Sequence, residues 1–254
     1  MRAITWIFAS LAGAVMLAGC QSGQLPDPND PDEIAAHPDI IRRNLQDYRE
    51  KLQDRAMKGQ IKPSEVNKMV ADRAKQILEN VDESDITMED AWQYADAYRQ
   101  ADDWETAMRI LDLARKNAKD EDRRVNDSLQ YARCAAHLGK VTEAVDTARE
   151  AFTAPAKEKA PILPAVLLEI VPEGRGKDHD AELAALLEEA IDQHTKVEVD
   201  PSTDAGKAFL QAKPFHIQNA WSLAIRLYSD AGKSEMAREA IERRDKMIKR
   251  FGNA

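Results

Sequence analysis

The chain has 254 residues, with 36 Lys and Arg against 45 Asp and Glu and a formal net charge of −9 at pH 7. That acidic balance disfavours nucleic acid and anionic lipid surfaces as partners of the whole molecule. Scarce Gly, few aromatics and abundant Ala, Leu, Glu, Lys, Arg and Gln make a helical chain the expectation.

In chain order, Arg2 precedes an apolar run from Ala3 to Met16 that ends in Leu17-Ala18-Gly19-Cys20. About 14 apolar residues are too few to cross a bilayer, so residues 1–19 read as a processed export segment. The final four residues resemble the cleavage box of bacterial lipoproteins. The resemblance implies that Cys20 becomes the acylated first residue and that the remainder lies beyond the cytoplasmic membrane. Burial of the acyl chains supplies about 0.8 kcal/mol per CH₂. Gln21 is not the Asp that commonly retains such lipoproteins at the inner membrane, which implies the periplasmic face of an outer membrane where the organism has one. Cys134 then has no intrachain disulfide partner and reads as a small core residue.

Residues 20–38 are polar, with Pro26, Pro28, Pro31 and Pro38 among acidic residues, and read as a tether. A helix pair is predicted over residues 39–80. Its first helix, Asp39 to Lys58, buries Ile40, Ile41, Leu45, Tyr48, Leu52 and Ala56 and stops at Gly59. Its second begins near Ser64 and buries Val66, Met69, Val70, Ala74, Ile77 and Leu78.

From Met88, Ala91, Tyr94, Ala95 and Tyr98 fall at helical spacing. After a turn at Ala101-Asp102-Asp103, Trp104, Ala107, Met108, Leu111 and Ala114 resume the period. This hairpin resembles the tetratricopeptide repeat, whose small, Tyr, bulky, small and Ala consensus residues appear as Ala95, Tyr98, Trp104, Ala107 and Ala114. A second copy runs from about Val125 to Ala156, with Ala132, Gly139, Val141, Ala144 and Ala151 matching. Ala144 follows Ala107 by 37 residues, against a family period of about 34, so the loop from Lys119 to Arg124 is predicted to hold the extra residues. A third copy matches at Trp221, Tyr228, Gly232 and Ala237, with Ile241 at a large apolar position and Arg244 breaking the pattern. Between them, Ile162–Val171 and Asp180–His194 read as a degenerate repeat at about 160–195, separated by Pro172 to Gly176. Lys196 to Lys207 reads as a longer connection, with Asp200-Pro201-Ser202-Thr203 as a turn or helix start. The expected architecture is all-α: a tetratricopeptide-like helical-hairpin solenoid over residues 86–254, preceded by the N-terminal helix pair.

The sequence carries no phosphate-cradling glycine loop, zinc signature, nucleophile elbow or paired-cysteine site. Asp178-His179-Asp180 with His194 is the best metal candidate, but its acidic residues open a helix, where capping and the helix dipole account for them. Solvated polar residues are the expectation there, with no metal, no cofactor and no catalytic residue assigned. His37, His137 and His216 show no partner pattern.

The repeat resemblance implies a concave groove lined by the first helix of each hairpin. Its groove positions fall on Glu89, Trp92, Asp96, Arg99 and Gln100 in the first repeat and on Asn126, Leu129, Arg133, Ala136 and His137 in the second. In the last they fall on Asn219, Ser222, Arg226, Ser229 and Asp230. Trp92, Asp96, Arg99, Asn126, Arg133, Asn219 and Arg226 are the candidate partner-binding residues, for a protein or peptide whose backbone or carboxylate would meet the donors. Trp92 could equally pack on the preceding helix pair. The expected function is a membrane-anchored extracytoplasmic scaffold. Two alternatives stand beside it: a component of the outer-membrane β-barrel assembly machinery, and an envelope enzyme or enzyme subunit with its site near residues 172–200.

Overall fold

The computed structural model describes Ala35 and residues 37–251. Cys20 and the export segment lie outside the described residues. Those described are helical throughout, with no strand among them. The N-terminal pair is α1 (Pro38–Met57) and α2 (Val66–Leu78). Then come α3 (Ala91–Gln100), α4 (Trp104–Lys116), α5 (Glu121–His137) and α6 (Val141–Glu150). An irregular α7 joins Ile162–Ala165, a π-helical turn at Val166–Ile170 and Val171–Gly174. The chain closes with α8 (Asp180–Thr195), α9 (Asp204–Asp230) and α10 (Ser234–Phe251).

Successive helices pack on one another from α1 to α6 and from α7 to α10, and α1 also meets α3, α5 meets α7, and α6 meets α8. One apolar core runs through these contacts from Ile41 to Ala240. A separate small cluster of Leu52, Val66 and Val70, flanked by Tyr48, Ala56, Ile61 and Met69, closes the free end of the α1–α2 pair. Ala35 is tied to α3 by the Tyr94 hydroxyl, which donates to its carbonyl at 3.1 Å.

Three hairpins use one turn. The chain takes a positive φ at Asp102 (63°), Gly139 (79°) and Gly232 (69°), two residues before α4, α6 and α10. In each, the amide that follows reaches back over the helix end: Asp103 to Tyr98, Lys140 to Ala135 and Lys233 to Tyr228, at 2.9, 2.9 and 2.8 Å. Glycine suits this left-handed conformation, and Asp is one of the few other residues that tolerate it. Ala107, Ala144 and Ala237, five residues further on in each case, are buried where the paired helices meet.

Several boundaries differ from the sequence-based expectation. The extra residues before the second hairpin extend its first helix: α5 starts at Glu121, capped by the Asp120 carboxylate, which accepts from the Arg123 amide at 2.8 Å. Pro172 lies inside the helical run instead of ending it, since the first turn of Val171–Gly174 needs no amide donor there. α9 begins at Asp204 behind the Thr203 cap, at the turn expected over residues 200–203, so Lys207 is helical and the connection is shorter than predicted. Ile241 is exposed, because α10 has α9 on one side only.

Candidate functional site

α3 turns Ala91, Tyr94, Ala95 and Tyr98 into the core. Trp92, Asp96 and Arg99, spaced by four and three residues, are left on its open side. α5 buries Val125, Leu129, Ala132 and Ala136, and presents Asn126, Gln130 and Arg133 at the same helical interval. These two rows, with Arg42 from α1 and Glu169 from α7, line an open pocket of about 560 Å³. A second pocket of about 630 Å³, walled by α2 and the start of α4, shares Asp96, Arg99 and Arg133 with it. The two form one groove between the N-terminal pair and the α3–α5 face.

A chain of polar contacts crosses the groove floor. Arg99 donates to Asp96 and to the Gln130 side-chain carbonyl, both at 2.5 Å. Gln130 donates to Glu169 at 3.2 Å, and Arg133 reaches the same Glu169 oxygen at 3.2 Å. Glu169 sits in the π-helical turn, whose extra residue rotates the side chains that follow it. The Arg99 and Arg133 Nε groups are buried, and each lacks an acceptor.

Trp92 is half-buried between two guanidinium groups, with Arg42 5.1 Å and Arg123 6.0 Å from its ring centroid. Arg123 also donates to Asp127 at 2.8 Å. Asp127 is only 1% exposed. Burial raises its pKa above the usual carboxylate value, and the Arg123 contact opposes that rise. At the far end, Trp104 and His137 stack with centroids 3.8 Å apart. His137 Nδ1 lies 2.8 Å from Glu173, and Arg133 sits over the Trp104 ring at 5.8 Å. Lys177 donates to the Ala136 and His137 carbonyls, completing the C-terminal end of α5.

Trp92, Asp96, Arg99, Asn126 and Arg133 therefore meet in one pocket. Gln100 donates to Asp96 at 3.1 Å, and exposed Glu89 pairs with Lys119 at 2.9 Å. Leu129 and Ala136 are corrections: they are 2% and 0% exposed, because α4, α6 and α7 together cover a wider arc of α5 than one groove wall would leave. Asn219 and Arg226 are exposed on α9 and line neither groove pocket, since α9 packs on α7, α8 and α10 and touches neither α3 nor α5 closely. Ser222 and Ser229 donate to carbonyls of their own helix, and Asp230 pairs with Arg175 at 2.9 Å.

Arg42, Arg123, Gln130 and Glu169 are groove residues that sequence reasoning missed. Gln130 and Arg123 were within reach of it, standing four residues after Asn126 and three before. Glu169 was not, because a π turn leaves no mark in the apolar period. The metal candidate comes apart: His179 Nδ1 faces Glu182 at 2.9 Å, whereas His194 is fully buried, contrary to the expectation that it is solvated. Among the described residues, no three His, Cys, Asp or Glu side chains are grouped to hold a metal ion. Cys134 is buried, and burial pushes its thiol up to about 11. No protein-family model matches the chain, and no curated protein matches it.

Proposed function

We propose that this chain is a lipid-anchored, extracytoplasmic scaffold of tetratricopeptide-like hairpins behind an N-terminal helix pair. Its concave face binds a protein or peptide partner in cell-envelope assembly or maintenance. The observation that carries the reading is the convergence of Trp92, Asp96, Arg99, Asn126 and Arg133, on two separate helices, along one open pocket. The shared turn at Asp102, Gly139 and Gly232 supports treating the three hairpins as repeats of one unit. The groove is open and lined mainly by charged and polar side chains, which suits an extended ligand better than an enclosed small substrate.

A photo-crosslinking residue at exposed Asn126, in the intact lipoprotein within its own envelope, tests this. A discrete adduct is expected, reduced about thirtyfold or more when Trp92 and Arg133 are both replaced by Ala, as for loss of an aromatic and an Arg contact worth roughly 1 to 3 kcal/mol each. An adduct that survives this replacement but vanishes on deletion of residues 39–80 would make the N-terminal pair the interaction module and the hairpins its spacer.

A further inference from the structure

The N-terminal pair turns four cations toward the groove at a regular interval. Arg42 and Arg49 stand two helical turns apart on α1, and Lys68 and Lys75 stand two turns apart on α2. Each pair is therefore separated by about 10.5 Å along its helix. Among the described residues none of the four makes an ion pair: Arg42 lies over Trp92, and Arg49 donates to the neutral Asn67 at 3.0 Å. The opposite wall differs. Arg99, Arg123 and Arg133 are each matched by a carboxylate, from Asp96, Asp127 and Glu169.

The groove thus carries seven Lys and Arg side chains against five Asp and Glu, a positive surplus inside a chain of net charge −9. The surplus sits on one wall. Arg42, Lys68 and Lys75 are exposed and touch no core, so their burial contributes little to the fold. A basic segment would be repelled here, and a neutral one would leave four cations facing only Asp72 on their own wall.

We infer that the groove receives an extended acidic segment of a partner protein, whose side-chain carboxylates pair with Arg42, Arg49, Lys68 and Lys75. The inference rests on the groove being the partner-binding face. The spacing sets a register. A polyproline-II chain rises about 3.1 Å per residue with three residues per turn, so carboxylates at every third position line one side about 9 Å apart. That interval is close to the spacing of the cations on α1 and α2.

The probe is a peptide of four Glu-Pro-Pro repeats with an amidated C-terminus and an uncharged fluorophore, so that only side-chain carboxylates are read. It is titrated by anisotropy against the full lipoprotein in neutral detergent. The peptide should bind at least about tenfold more tightly than its Gln-Pro-Pro counterpart and weaken as salt rises from about 50 to about 300 mM. The R42Q/K68Q/K75Q variant should lose about tenfold or more without a change in melting temperature, and K116Q, on α4, should lose nothing. Equal binding of the two peptides, binding of neither, or undiminished binding by the triple variant each overturns the acidic ligand. If the Gln peptide binds and Trp92→Ala abolishes it, the groove remains the binding face and only the acidic specificity falls. An envelope crosslink at Asn126 that is indifferent to Trp92 and Arg133 defeats the broader reading instead.

Discussion

His194 is fully buried between α8 and α9, neither of its ring nitrogens has a hydrogen-bond partner, and the Phe209 and His216 rings lie 4.9 and 5.9 Å away. Burial, reinforced by the positive charge of Lys213 and the neighbouring His216, pushes its pKa down to about 4. Its unfolded value is near 6.5. Between those two values the unfolded chain holds a proton that the folded chain does not, so stability falls as pH drops from about 6.5 to about 4 and then levels. The loss from this one residue is at most about 3 kcal/mol. Melting curves at pH 7 and pH 4.5 should separate less for His194→Leu than for the parent; an identical separation would mean that the imidazole is not held neutral. The sequence placed His194 beside His179 as a solvated polar residue. A helical period shows which side chains share a face, but not that a neighbouring helix will cover the far face of α8.

At the scale of elements, α9 shows what pattern reading reaches and where it stops. Trp221 and Tyr228 located its second half, and both are buried. Its first half carries no consensus residue of the repeat, and the helix runs on through Pro214, which is tolerated when packing compensates for the lost bond. The true start is enforced at Gly206. A Cβ built there would lie 1.9 Å from the Asp200 carbonyl oxygen, and the Gly206 amide donates to the Thr203 hydroxyl at 3.0 Å. Replacing Gly by Ala within a helix ordinarily stabilises by up to about 1 kcal/mol. Gly206→Ala should instead lower the melting temperature, by several degrees for a cost of about 1 to 3 kcal/mol. A raised melting point would show that the 196–203 connection does not sit against the helix.

For the molecule as a whole, the anchor and the helical body are expected to be separable. If acyl chains on Cys20 supply the membrane affinity, Cys20→Ser should move the protein from the membrane to the soluble fraction while far-ultraviolet dichroism and melting stay unchanged. A variant that sediments with membranes as the parent does would remove the lipoprotein reading. No helix among the described residues is long and apolar enough to cross a membrane. What the sequence determined alone was local: the 3.6-residue period of Ile41, Leu45 and Leu52, the small residues Ala107, Ala144 and Ala237, and the turn residues Asp102, Gly139 and Gly232, each set by backbone geometry within a few positions of itself. The repeat resemblance, carried over position by position, also named five residues that line one pocket. Only the tertiary structure decided that Arg42 and Lys68 stand across from Arg133, that Glu169 enters through a π turn, and that Arg226 stays away. Those are distances between helices far apart in the chain, and no local period encodes which exposed faces will be brought together.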